Sequence, residues 1–182
     1  MRPDRPLALT TADLPLPELL AARLDGDLFA LNLSFFAIDE FETPALRAAS
    51  LLRHTPANLT AERGTAAWIW GARPAPPPVH QFCSGMGTRG RSGGPLAMTV
   101  REVVIDRTEI RSVAGLGVTD PRRTLLDLLR FDTEFDPLVA TRLAVLAGVD
   151  RDECAEDLER RRNLPFRRRA LARLTEVFPE PE

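Results

Sequence analysis

A chain of 182 residues, 44% apolar and 27% charged, can bury a core without metal or disulfide support. Its formal net charge of −2 says little by itself, but the charge is unevenly spread. Residues 1–50 hold four arginines and eight acids, whereas residues 160–173 hold seven arginines and no acid. All 24 basic residues are arginine and tyrosine is absent; with Ala, Pro and Gly plentiful, this reads as genomic base composition, not selection for phosphate binding. Cys83 and Cys154 stand alone, without a CxxC or a histidine at ligand spacing, so no metal site is expected. Two scattered thiols suit a reducing cytoplasm. No signal segment and no apolar run of membrane-spanning length is present, so the chain reads as cytoplasmic, with no membrane partner.

In chain order, Met1 to Leu16 is proline-rich and reads as a loosely held arm. Pro17–Leu24 suits a short helix. Phe29, Leu31, Leu33, Phe35 and Ile38 nearly alternate with small or polar residues, which predicts a hairpin of Leu28–Leu31 and Ser34–Ile38. Asp25, Asp27, Asp39, Glu40 and Glu42 surround it. Thr43 caps a helix over Pro44–His54, and Leu59–Trp70 reads as another, stopped by Gly71. The run ARPAPPPV must be extended, because each proline denies a sheet its donor. It divides the chain into an N-terminal region (1–72), a linker (73–78) and a C-terminal α+β part (79–182). Strands are predicted at Val79–Cys83, Leu96–Val100, Val103–Ile105, Glu109–Val113 and Gly117–Thr119, with Arg101 marking a break.

Gly115 to Arg130 organises the rest. Asp120 stands before Pro121, an N-cap carboxylate meeting a proline at the first helical position. Asp120 can accept from the backbone N–H groups of Arg122 and Arg123, and Asp127 can meet Arg123 one turn away. Leu125, Leu126, Leu128 and Leu129 give the helix a broad apolar face. Asp136–Pro137 repeats the cap for a helix over Leu138–Ala147, stopped by Gly148. Asp150 with Glu153 makes a capping box for a third, and Pro165 opens a fourth running to Phe178.

Gly85, Gly87 and Gly90 spell GxGxxG after a strand. A strand, not a helix, is predicted next, so no N-terminal dipole is there to hold a pyrophosphate and the segment reads as an inter-strand loop. His54 and His80 have no suggestive neighbours, and Ser84 lacks a nucleophile elbow. No catalytic residues, cofactor or enzymatic activity are therefore expected. The strongest functional feature by composition is the arginine cluster: Arg160, Arg161, Arg162, Arg167, Arg168, Arg169 and Arg173. Arg160–Arg162 end one helix, where cations are favourable. Arg167–Arg169 begin the next, where the dipole opposes them. Two readings stay open: a solvated face, or a site for an anion such as a phosphate backbone or an acidic protein surface. Arg89 and Arg91, on the glycine-rich loop, can join such a site.

Two blocks resemble the AbiEi family, the antitoxin and transcriptional regulator of type IV toxin–antitoxin systems, in its actinobacterial branch. One is GTAAWIWG, Gly64 to Gly71. The other, Leu96 to Arg130, is similar through Arg101, Gly115, Val118, Thr119, Pro121, Arg123, Thr124, Asp127 and Leu128. The resemblance implies an N-terminal winged helix-turn-helix that represses its own operon, then an α+β domain that opposes a nucleotidyltransferase-like toxin. Such a reader needs about three helices before its wing, with basic residues facing phosphate. This chain has room for one short helix and an acidic hairpin, so its N-terminal part is expected to be a reduced winged-helix-like remnant. The Vsr-like nuclease domain of many relatives is also expected to be missing. The expectation is an α+β protein with a C-terminal four-helix segment, acting as a non-enzymatic antitoxin or regulator whose partners are operator DNA and a cognate toxin. The alternative is a protein–protein adaptor that has lost DNA binding.

Overall fold

The computed structural model describes residues 8–87, 94–160 and 164–179. Helix α1 (Leu16–Leu24) leads into strands β1 (Leu28–Leu31) and β2 (Ser34–Ala37), which pair antiparallel through a tight turn at Asn32–Leu33. Asn32 takes φ 54°, a left-handed conformation that asparagine tolerates better than most residues. Alternation predicts one apolar face for this hairpin, but both faces are covered. Phe35 packs with Leu19 and Leu28, while Phe36 packs with Leu46 and Ala49. Leu33 and Ile38, expected inside, are consequently exposed. The expected loose arm is also tied down from residue 8 onward: Leu9 and Phe35 exchange backbone hydrogen bonds of 2.8 Å. Helix α2 (Pro44–Leu52) starts at Thr43, whose hydroxyl accepts from the Leu46 N–H at 3.2 Å.

The main sheet has five strands: β3 (Thr60–Ala61), β4 (His80–Gly85), β5 (Met98–Val103), β6 (Ile110–Val113) and β7 (Leu116–Thr119), in the order β5-β4-β3-β7-β6. The sequence suggests a helix from Leu59, but Thr60 and Ala61 form the central strand, paired with Cys83 and Phe82 on one side and Gly117 and Val118 on the other. Helix α3 (Arg63–Ile69) begins only after them. Two residues suffice here because both edges of β3 are hydrogen-bonded. The proline run 73–78 thus joins neighbouring strands of one sheet. Arg101 does not break its strand: β5 runs through it, parallel to β4.

Four helices follow, packed against one another and, through α4, against α3: α4 (Pro121–Phe131), α5 (Pro137–Ala147), α6 (Arg151–Arg160) and α7 (Arg167–Val177). Asp120 caps α4 by accepting from the Arg123 N–H at 2.7 Å; Arg122 does not share it. Asp136 caps α5, which ends on Gly148 at φ 64°. Asp150 and Glu153 exchange the two hydrogen bonds of a capping box at 2.9 and 3.1 Å. Helix α7 starts at Arg167, not at Pro165, because Phe166 before it takes a left-handed φ of 60°. Leu125, Leu126, Leu128 and Leu129 form the core with Leu143, Leu158 and Leu174. The architecture is α+β, with a helix and two-stranded hairpin at the N-terminus, where a reduced winged-helix-like part is expected, and a C-terminal helical segment. No described helix is long and apolar enough to cross a membrane.

Candidate functional site

Helix α4 is buried on its polar side as well as its leucine side. Asp127, 1% exposed, lies between three guanidinium groups: Arg123 Nε at 3.0 Å, Arg101 Nη2 at 3.1 Å and Arg130 Nη1 at 3.3 Å. Arg101 reaches it from β5 and also clamps Glu62, which is fully buried, donating from Nε at 2.6 and 2.8 Å. Arg63 Nε donates to the same carboxylate at 3.0 Å. Arg123 Nη1 donates to Glu109 at 2.7 Å, and Arg130 Nε to the Pro165 carbonyl at 3.1 Å. Arg101 and Arg130 each lie 4.4 Å from the centroid of the Phe131 ring.

Carboxylates buried this deeply must be paired, because an isolated buried charge is too costly to keep. Burial by itself would push Arg101 and Arg123 down. The hydrogen bonds and charge of Glu62 on Arg101, and the charges of Asp127 and Glu109 on Arg123, leave both above the ordinary guanidinium value. The network joins the strand after the glycine-rich loop, the residue before α3, the 3₁₀ turn Arg107–Glu109 and two turns of α4. It also floors an open cleft of about 580 Å³ walled by Val103, Val104, Phe131 and Leu164. Its chemistry is positional: permanently protonated guanidiniums hold carboxylates that are already bonded.

A second buried polar chain fastens the hairpin to the sheet. Asn32 Nδ2 donates to Ser50 Oγ at 2.8 Å, which orients its Oδ1 toward His80 Nε2, 3.1 Å away. Nε2 therefore carries the proton, and Nδ1 is left to accept from the Thr65 hydroxyl at 3.3 Å. Burial pushes His80 down to about 4, so it is neutral near pH 7. Burial likewise pushes the Cys83 thiol up to about 12 and that of Cys154 up to about 11, and both cysteines are unpaired.

The arginines singled out by composition separate. Arg160, with a side chain 71% exposed, lies 3.5 Å from Glu156 and 3.7 Å from Asp157 on its own helix. Arg173, placed in the same cluster by composition, is half-buried and turns its guanidinium toward the end of α4. It donates to the carbonyls of Leu128, Leu129 and Asp132, closing the C-terminus of α4, and lies over Phe135 at 4.4 Å. The Leu128 carbonyl also accepts from the Asp132 N–H at 3.1 Å, and an arginine at a helix C-terminus offsets the dipole's negative end. Arg167, Arg168 and Arg169 are exposed at the start of α7, with Arg169 lying over Phe166 at 4.9 Å. Arg89, Arg91, Arg161 and Arg162 lie outside the described residues.

Glu62, Arg101, Asp127 and Arg130 are the residues that reading by motif misses as a group. A signal for them exists in the sequence: Arg101 among valines and Asp127 among leucines are charges placed where an apolar side chain is due.

The fold is α+β, and buried ion pairs stitch its strands to its helices. The structure of the RV2827C protein from Mycobacterium tuberculosis has a similar fold, with a TM-score of 0.51 over 96% of this chain and 73% of that one, at 18% identity. No family model and no curated protein matches the chain.

Proposed function

We propose that this chain is a cytoplasmic, non-enzymatic regulator of the AbiEi type, acting by binding operator DNA, opposing a nucleotidyltransferase-like toxin, or both. The observation that carries this reading is the division of its arginines. In the block that resembles the family, Arg101, Arg123, Thr124 and Asp127 are engaged in internal bonds, which suits a scaffold. Arg167–Arg169 are instead exposed in the first turn of α7, where the helix dipole repels cations, and a bound phosphate would relieve that repulsion. Gel shifts with the DNA upstream of its own gene, together with co-purification with the adjacent gene's product, test the proposal. A shifted fragment or a stable complex is expected; neither forming would overturn it.

A second reading, an adaptor that has lost DNA binding, is favoured by one observation. Asp25, Asp27, Asp39 and Glu40 are all exposed around the hairpin where a winged-helix reader would face phosphate. A complex with the neighbouring product and no shift of any promoter fragment would favour it.

A further inference from the structure

Helix α1 is amphipathic in an unusual sense: it shows apolar side chains on its outer side too. Leu19 is fully buried against Leu28 and Phe35, which holds the helix to the hairpin. Leu16, Leu20 and Leu24, spaced four apart and therefore on one face, are all exposed, Leu24 to 88%. The chain then turns through Asp25–Asp27 into β1, and the Asp27 carbonyl accepts from the Ile38 N–H at 2.9 Å. That bond sets the end of α1 beside the segment leaving β2, where Ile38 is 60% and Phe41 84% exposed. Asp25, Asp27, Asp39 and Glu40 interleave with these apolar residues, and all four are exposed. Single exposed leucines are ordinary, but Leu24, Ile38 and Phe41, set by that bond at one end of the hairpin with an acidic surround, are not.

We propose that this end of the N-terminal part is a docking surface for a basic protein: one presenting an apolar centre flanked by arginine or lysine. The charge decides the class. Four exposed carboxylates against one exposed cation, Arg23, leave this end net acidic, which repels nucleic acid and anionic lipid alike and is complementary to a cationic rim. The apolar centre supplies the buried area, as the centres of protein interfaces do. The surface is distinct from Arg167–Arg169, so it stands even where DNA binding by α7 fails.

The probe is a labelled amphipathic helical peptide with leucines along one face and arginines on its flanks, titrated into the full chain by fluorescence anisotropy. A scrambled peptide of the same composition, its apolar stripe broken, is the control. The ordered peptide is expected to bind and the scrambled one to bind at least about tenfold more weakly. Leu24→Ser and Phe41→Ser should each weaken binding with an unchanged melting temperature, because both side chains face solvent; Ile38→Ser serves if either variant misfolds. Asp39→Asn with Glu40→Gln should flatten its salt dependence. Equal binding of both peptides, no binding of either, or indifference to all three apolar substitutions would overturn the proposal. So would self-association of the chain that Leu24→Ser abolishes, which would make this an interface between copies.

Discussion

Two groups of arginines in this protein share a residue type and little else. Arg101, Arg123 and Arg130 sit around Asp127 with Glu62 and Glu109 close by, and each is held by carboxylates or carbonyls. Arg167, Arg168 and Arg169 face solvent at the start of a helix. The first group neutralises buried acids and ties strand to helix; the second adds positive charge to a surface without an ion pair to any described residue. What an arginine does is thus decided by what lies within about 3 Å of its guanidinium, where a charge-assisted hydrogen bond forms, and not by how many arginines are near it in sequence. Arg173 makes the point, since it is close in sequence to the surface row and belongs by its hydrogen bonds to the scaffold.

The largest expected effect breaks the buried group. Asp127→Ala strips the shared acceptor from three guanidiniums and should cost about 3–5 kcal/mol, read as a lower urea midpoint. If that midpoint does not move, the network is ornamental to stability. His80 sharpens the contrast through pH. Its value is depressed from 6.5 to about 4, so between those limits the unfolded chain takes up a proton that the folded chain refuses. Stability contributed by neutral His80 is therefore present near pH 7 and lost as the pH falls through that window, by about 3 kcal/mol at most. Denaturant titrations of wild type and His80→Gln at both ends of the window check this: the variant should lose the slope that His80 supplies. Asp120→Ala removes one cap bond from α4 and should cost about 1 kcal/mol in the same assay. Arg168→Ala, with its side chain in solvent, should change stability by less than about 0.5 kcal/mol.

Much of the helical segment was legible because caps are local. Asp120–Pro121, Asp136–Pro137 and the Asp150–Glu153 box each need only a few consecutive residues, and each starts a helix where expected. The centre of the sheet was not legible. Thr60–Ala61 is a strand because the strands holding Cys83 and Val118 flank it, which no local pattern encodes, and the alanines with Glu62 and Arg63 read as helix on both sides of the true boundary. The hairpin's alternation misled for a related reason: Phe35 and Phe36 both become core once α1 and α2 cover opposite faces. The ion network stayed hidden because Glu62, Arg101 and Asp127 come from three separated segments.

The most direct test of the division between holding and binding arginines is the salt dependence of DNA affinity, comparing wild type with the combined Arg167→Ala, Arg168→Ala and Arg169→Ala variant. If the row neutralises phosphate, the variant melts like wild type while its log–log salt slope falls by up to about 3, near 0.9 for each phosphate left without its arginine. An unchanged slope with unchanged affinity would contradict that assignment.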